Sequence, residues 1–157
     1  GLELEVIYTP GHAAHHLSFL ELNSGMLFAG DVAGVYTGQL DLLRPATPPP
    51  LVLEDELASI DKLLAKNLST IYHGHFGSGG EARRQLQRMR TQLELWRKVI
   101  SEALARGADS EAILAELLER DAELQKIKGL PEHRYQRECY FINNSIKGFV
   151  EALSKNR

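Results

Sequence analysis

The sequence predicts an α+β protein whose first half is rich in strands and whose second half is helical. Before residue 78, apolar and polar residues alternate with period two in several short stretches, as they do in half-buried strands. From Glu81 onward, apolar residues recur every three or four positions, as they do on one face of a helix. The change falls at Gly79, so we predict one part over residues 1–78 and an extension of three helices over residues 79–157.

Four strands are predicted in the first part. Residues 4–8 alternate weakly and end at a Thr-Pro-Gly turn. Residues 17–22 have an apolar face with period two, and residues 26–29 return after a short Asn-Ser-Gly turn, which is typical of a hairpin. Residues 69–72 are predicted to form a short strand that leads into a His-Gly-His sequence.

A proline-rich segment follows the hairpin. Residues 44–50 read Arg-Pro-Ala-Thr-Pro-Pro-Pro and cannot form a regular helix or a central strand, because proline lacks the N–H donor and fixes φ. We predict an extended loop, which serves either as a stiff connector or as one edge of a substrate cleft. Residues 53–66 come next and are predicted to be helical, since their leucines and isoleucine form one apolar stripe.

The helices of the second part are separated by glycines. We predict a long helix over residues 81–107, a second helix that starts at Asp109, and a third over about residues 134–153, with breaks at Gly107 and at Gly129. The long helix is locally basic over residues 83–98. These cations either form a solvated surface or attract an anionic substrate.

Composition narrows the functional class. The 157 residues suit one domain, or one domain with an extension, and 43% hydrophobic and 25% charged residues are typical of a soluble globular protein. A net charge of -3 gives no basis for predicting a nucleic-acid or membrane partner. The single cysteine, Cys139, cannot form an internal disulfide, which favours the cytoplasm. Because the chain begins with Gly1 rather than methionine, we expect it to be a piece of a longer protein.

Histidines and one aspartate are concentrated at three predicted strand ends. The first end reads Thr-Pro-Gly-His-Ala-Ala-His-His over residues 9–16, the second Gly-Asp over residues 30–31, and the third His-Gly-His over residues 73–75. Imidazole and carboxylate are suitable ligands for zinc, iron or manganese. A carboxylate between two histidine clusters could bridge two metal ions, so the sequence predicts a metal site where these ends converge.

These three motifs resemble the metallo-β-lactamase superfamily, and within it the glyoxalase II-like and lactonase-like hydrolases. The resemblance rests on Thr-Pro-Gly-His with a second histidine four residues later, on Phe-Ala-Gly-Asp, and on the final Gly-His loop. It implies that His12 and His75 are metal ligands and that Asp31 is the catalytic, metal-bridging carboxylate. It also implies that His16 and His73 lie behind the ligands rather than on the metal.

The resemblance covers only the second half of the family's fold. The His-x-His-x-Asp-His motif that supplies the remaining ligands is absent from the sequence. The chain therefore resembles the second half of an αββα metallo-β-lactamase sandwich followed by a C-terminal helical region. We expect its zinc (Zn) site, which in the intact family holds two metal ions and could instead hold iron or manganese, to be partial or empty. One face of the sheet should lack its cover, so we expect self-association or packing with the missing N-terminal half.

Two functions remain open at this point. The resemblance implies the C-terminal part of a hydrolase in which metal-bound hydroxide attacks a small-molecule ester, thioester or lactone, with the chain alone inactive. Tyr36 and Arg44 are then candidates for lining the substrate cleft. The alternative is a non-catalytic, self-associating module with a remnant metal site.

Overall fold

A computed structural model describes residues 1–75 and 77–155. Position 76, which directly follows the third histidine motif, and positions 156–157 lie outside the described residues. The α+β class is confirmed, with strands concentrated before residue 82 and long helices after it. Among the described helices, none combines the length and apolar character needed to cross a membrane.

In the described part of the chain, seven strands form two sheets. In chain order they are β1 (Leu4–Tyr8), β2 (Leu17–Glu21), β3 (Leu27–Gly30), β4 (Val35–Thr37), β5 (Leu42–Arg44), β6 (Thr70–His73) and β7 (Gly77–Glu81). The main sheet has the order β1-β2-β3-β6-β7, in which β3 and β6 run parallel and the other neighbours run antiparallel. The parallel pair brings the ends of β3 and β6 to the same edge, next to the loop that follows β1.

Five α-helices accompany the sheets within residues 1–75 and 77–155. They are α1 (Leu53–Leu64), α2 (Ala82–Ala105), α3 (Ser110–Arg120), α4 (Ala122–Gln125) and α5 (Glu132–Ser154). The predicted second helix is interrupted, because the side chain of Asp121 accepts a hydrogen bond from the backbone N–H of Glu123 and starts α4. Strands β4, β5 and β7 were not predicted. β7 crosses the boundary placed at residue 78, and the division into two domains stays a prediction.

The two faces of the main sheet differ in what covers them. On the inner face, Ile7, Leu20, Leu27 and Ile71 are buried in one core with α1, α2 and α5. On the opposite face, which we call the open face, apolar side chains form a row across four strands. The paired residues of this row are Val6, Phe19, Phe28 and Tyr72.

The row on the open face is continuous and accessible. Val6, Phe19 and Phe28 are 58%, 37% and 42% exposed, and the rings of Phe28 and Tyr72 are stacked with centroids 5.2 Å apart. Successive side chains along a strand point to opposite faces of the sheet. The residues between those of the buried inner face therefore lie on the open face, and in this row they are apolar. Nothing in the described part of the chain covers it.

Candidate metal centre

Three predicted ligands meet at the edge where β3 and β6 end. Nε2 of His12 lies 3.6 Å from Oδ2 of Asp31, and Nε2 of His75 lies 3.5 Å from Oδ1 of the same carboxylate. These distances are too long for good hydrogen bonds. Oδ1 of Asp31 is buried and has no hydrogen-bond partner among the described residues. Each carboxylate oxygen thus faces one imidazole across a gap that a cation could bridge.

The ring of His12 is held so that Nε2 faces the site. Its Nδ1 lies 2.5 Å from the carbonyl oxygen of Ala46. Because a carbonyl only accepts, Nδ1 carries the proton and the lone pair is on Nε2. A histidine that donates through one nitrogen and offers the other is the usual arrangement of a metal ligand. The loop over residues 44–50 therefore orients this histidine through its backbone.

Glu56 supports the loop after β1 that carries His12, and it was not found from the sequence. Its Oε2 accepts a hydrogen bond of 2.5 Å from the backbone N–H of His12. Burial raises the pKa of Glu56 well above its usual value, and the charge of Asp31 adds to this effect. Gly11, at φ 137°, passes so close to Glu56 that any Cβ would collide with it. One feature of the sequence could have revealed it. Glu56 lies three residues after Leu53, among the apolar positions of α1 that are buried, and a carboxylate at such a position needs a partner.

His16 uses both ring nitrogens within the protein. Its Nε2 accepts a hydrogen bond of 3.1 Å from the backbone N–H of Asp31, and its Nδ1 lies 3.0 Å from the carbonyl oxygen of Thr9. Burial lowers the pKa of His16, and the neighbouring His12 lowers it further, which agrees with a neutral ring. The structure places His16 behind Asp31, where it fixes the backbone that carries the carboxylate.

His73 lies on the inner face of the sheet, away from the three ligands. Its Nδ1 donates to the carbonyl oxygen of Gly34 at 3.1 Å, and its ring stacks on Tyr36 with centroids 5.5 Å apart. Burial lowers the pKa of His73. The Tyr36 hydroxyl donates to Asp41 at 3.2 Å. The structure therefore groups His73 with Tyr36 and brings neither to the carboxylate of Asp31; the roles predicted for them stay predictions.

A cavity of about 350 Å³ opens in front of the three ligands. Asp31, His12 and His75 line it, and α5 contributes Arg137, Glu138 and Phe141 to the same lining. Arg44 also lines it, whereas Tyr36 is not among the lining residues; a substrate-lining role for either residue stays a prediction. The site is thus a cleft between the strand ends and the last helix.

The three predicted ligands supply some, but not all, of the ligands that two metal ions would need. His12 with Asp31, and His75 with Asp31, make two pairs that share one carboxylate. Within residues 1–75 and 77–155, no group of three His, Cys, Asp or Glu side chains is placed to hold one ion. Catalytic zinc sites use three protein ligands and keep a position for water. The residues present have suitable chemistry for divalent metals, but each ion would need further ligands.

Comparison with known proteins relates the first half of the chain to a known family. Residues 1–75 match the profile of the metallo-beta-lactamase superfamily. A metallo-beta-lactamase fold-containing protein from Sulfurisphaera tokodaii, ST1585, is 34% identical over 77 residues, which are 49% of this chain and 28% of that protein. The three predicted ligands, His12, Asp31 and His75, lie within residues 1–75.

Solved structures share the fold over nearly the whole chain. An archaeal metallo-beta-lactamase superfamily protein from Sulfolobus tokodaii has a TM-score of 0.63 at 22% identity, over 96% of this chain and 47% of that chain. A metallo-beta-lactamase family protein from Thermus thermophilus has a TM-score of 0.65 at 22% identity, over 98% of this chain and 44% of that chain. A beta-lactamase domain protein from Burkholderia ambifaria reaches 0.66 at 14% identity, over 98% and 42%. The chain spans less than half the length of these proteins.

Proposed function

Residues 1–75 of this chain match the metallo-beta-lactamase superfamily, and from that premise we propose that the chain is the C-terminal part of a metal-dependent hydrolase of this superfamily. The observation that carries the proposal is the carboxylate of Asp31, whose two oxygens face His12 and His75 separately. A carboxylate that lies between two imidazoles could be shared by two metal ions, and pairs of metal ions are used by many hydrolases. Which class of hydrolase is meant, glyoxalase II-like or lactonase-like, stays a prediction, as does the cytoplasmic location.

Each protein group has a definable task in such a reaction. Bound metal would supply a nucleophilic water at neutral pH and would polarise the carbonyl of an ester, thioester or lactone. Asp31 holds the two positions together, and His16 fixes its backbone. Ala46 keeps the proton of His12 on Nδ1, so that Nε2 stays available. Zinc is our first choice of metal, and iron or manganese would suit the same ligands.

We propose that the missing ligands come from polypeptide that precedes residue 1 and packs on the open face. Three observations support this. Each proposed metal position has two donors among the described residues, the solved relatives are more than twice as long as their shared region, and the open face presents an apolar row across four strands. The chain alone is then inactive because its metal positions are incomplete.

The second candidate is a non-catalytic, self-associating module with a remnant metal site. It is favoured by the absence of any three-ligand group in the described residues. It predicts that extension of the chain toward its N-terminus adds neither metal nor turnover. The hydrolase proposal predicts that the extension adds both. A comparison of the chain alone with the extended chain therefore distinguishes the two candidate functions.

The test compares the chain alone with the chain extended by the preceding coding sequence. Metal content is measured by elemental analysis, and hydrolysis is assayed with generic thioesters, esters and lactones. We expect bound metal and turnover only in the extended protein. There Asp31→Asn should remove metal and lower the rate at least about a hundredfold, because a bridging ligand contributes more than the outer contacts whose loss costs 10–100-fold.

The control is Asp55→Asn, an exposed aspartate in the first turn of α1, which should keep both properties. Retention of metal and turnover by Asp31→Asn would show that the metal centre is assigned wrongly. An extended protein with neither metal nor turnover would favour the non-catalytic module. Stoichiometric zinc with turnover in the chain alone would exclude that module.

A further inference from the structure

Arg44 is a buried arginine whose charge faces the cavity. Its side chain is 8% exposed, and its Nε donates to Oε2 of Glu138 at 2.8 Å. Neither terminal nitrogen of this guanidinium donates to a described residue, and neither is sealed from solvent. Since Arg44 lines the cavity in front of Asp31, its free N–H groups are available to a ligand there.

A second arginine makes the wall cationic. Nη2 of Arg137 lies 3.5 Å from Oε1 of Glu138, so the one carboxylate of Glu138 is shared between Arg44 and Arg137. The three groups carry one net positive charge. Both arginines line the same cavity as Asp31. An anion that enters this cavity can thus be attracted to the two guanidinium groups.

Apolar side chains lie beside the two arginines. Phe141, Val35 and Pro48 line the same cavity, and the guanidinium of Arg44 lies 5.0 Å from the centroid of the Phe141 ring. A cavity with convergent polar groups on an apolar lining is typical of a small-molecule site. The ligand that matches it has an anionic end and an apolar body.

We infer that Arg44 and Arg137 form a subsite for the carboxylate of a small amphipathic substrate. The planar guanidinium fork matches a carboxylate through paired N–H bonds, and a single excess positive charge matches a monoanion. One part of the inference rests on the proposed function, namely that the bond to be hydrolysed lies at the proposed metal centre beside Asp31. Anion binding itself needs only residues of this chain.

A purely structural pair would behave differently. If Arg44 and Glu138 only joined β5 to α5, then loss of the exposed Arg137 would leave ligand binding unchanged. Arg137 is the better residue to vary because it lies on the surface of α5, where a substitution should be tolerated. Arg44→Ala would leave Glu138 buried without its partner, and such a change is strongly destabilising.

The direct test uses this chain, freed of metal by dialysis, and three six-carbon probes. Binding of hexanoate, neutral hexanamide and hexyl phosphate is followed by NMR chemical-shift changes. We expect hexanoate to bind at least about tenfold more tightly than hexanamide, since one charge-assisted contact supplies about that factor. Arg137→Gln should weaken hexanoate by about tenfold and leave hexanamide unchanged. Arg44→Lys, which keeps the charge and loses the fork, should weaken hexanoate by a smaller factor.

The matched control is Arg134→Gln, an exposed arginine on the same helix that does not line this cavity. It removes the same charge and should not change hexanoate binding. Equal affinity for hexanoate and hexanamide, or equal effects of the two Arg→Gln variants, would overturn the subsite. Tighter binding of hexyl phosphate than of hexanoate would overturn the carboxylate assignment.

Kinetics of the extended protein separate this inference from the hydrolase proposal. Arg137→Gln should raise KM for a carboxylate-bearing thioester with kcat unchanged, because the contact exists before and during reaction. The KM for a matched neutral thioester should not change. Hexanoate binding by a protein with no turnover would reject the hydrolase and keep the subsite. Turnover that is indifferent to Arg137→Gln for both thioesters would reject the subsite and keep the hydrolase.

Discussion

Nε2 of His16 accepts a hydrogen bond from the backbone N–H of Asp31, at 3.1 Å. This contact ties the loop after β1 to the short 3-10 turn that starts at Asp31. The hydrogen bond is possible because the residue before Asp31 is Gly30. Gly30 has φ 65°, and a Cβ at this position would lie 2.5 Å from Nε2 of His16. The position of the proposed bridging carboxylate therefore depends on a glycine that has no chemistry of its own.

Gly30→Ala is expected to damage the site and the fold together. The alanine must adopt a left-handed conformation and must also displace the His16 ring. We expect a loss of about 2–3 kcal/mol in the free energy of unfolding, from backbone strain of about 1 kcal/mol plus the lost hydrogen bond. Urea denaturation of this chain measures it, and zinc content of the extended protein should fall in parallel.

Gly107→Ala is the matched control for that variant. Gly107 has φ 74°, and nothing lies within 4 Å of its missing Cβ, so the alanine there suffers the strain without the collision. We expect a loss of about 1 kcal/mol and no change in zinc content. Equal losses for the two variants would mean that the contact with His16 contributes nothing.

The long periodic elements of the fold were predictable, and the short ones were not. The strands β1, β2, β3 and β6 and the long helices carry apolar patterns that run for a full element. β7 reads Gly-Ser-Gly-Gly-Glu, and glycine is depleted in strands, so only pairing with β6 makes it one. Strands β4 and β5 have three residues each, which is too short for a period to be recognised.

The ligands of the candidate site were predictable because they follow strand ends, whereas their supports come from distant segments. His12, Asp31 and His75 could be read from three local motifs. The carbonyl of Ala46 has no side-chain signature at all. Glu56 and Glu138 are buried carboxylates on helices, and their partners lie 44 and 94 residues away in sequence. Only the folded chain reveals such pairs.

Glu21 is expected to make the free energy of unfolding of the chain decrease as the pH falls below about 4.5. Hydrogen bonds from the Ser24 hydroxyl, and then from its backbone N–H, hold the pKa of Glu21 at about 2. An unfolded glutamate has a pKa of about 4.3. A pKa lowered by folding stabilises the protein above the unfolded value, and that contribution is lost as the pH falls from about 4.5 to about 2.

The measurement is the free energy of unfolding at several pH values between 2 and 6. Glu21→Gln should be less stable than the wild type at pH 6, and the difference should shrink as the pH falls toward 2. Glu119→Gln, an exposed glutamate on α3, should show a small difference that does not vary with pH. A difference for Glu21→Gln that stays constant with pH would contradict the assignment.

Asp121→Ala is expected to destabilise the helical half strongly. One oxygen of the buried Asp121 accepts from the Trp96 indole at 2.8 Å and from the Gln92 amide at 2.7 Å. Removal of the carboxylate leaves both donors buried without this partner and also removes the cap of α4. We expect a loss of about 3 kcal/mol in the free energy of unfolding. The fluorescence of Trp96, the one tryptophan of the sequence, reports the transition.

Asp109→Ala tests whether that loss reflects burial rather than capping alone. Asp109 caps α3 at an exposed position, where its side chain accepts from the backbone N–H of Ala112 at 2.9 Å. An exposed cap contributes about 1 kcal/mol. If Asp121→Ala costs no more than Asp109→Ala, the contacts with Trp96 and Gln92 are not stabilising the fold.

The open face is expected to make the isolated chain associate with itself. Phe19 and Phe28 are paired on adjacent strands of this face, and burial of such side chains in a partner contributes about 1.5–3 kcal/mol each. We predict oligomers by light scattering at tens of micromolar and bound ANS, an apolar dye. The double variant Phe19→Thr/Phe28→Thr should be monomeric and should bind little ANS, since threonine keeps strand propensity and removes the apolar rings.

Tyr140→Ala is the control, because Tyr140 is 70% exposed and lies on α5 rather than on the sheet. It removes a comparable apolar ring and should leave the oligomers intact. The threonine variant should keep its circular dichroism spectrum, which distinguishes lost association from lost folding. A wild-type chain that is monomeric at these concentrations and binds no ANS would contradict the prediction. In the extended protein the preceding polypeptide should cover Phe19 and Phe28, so the same double variant should there reduce stability instead of association.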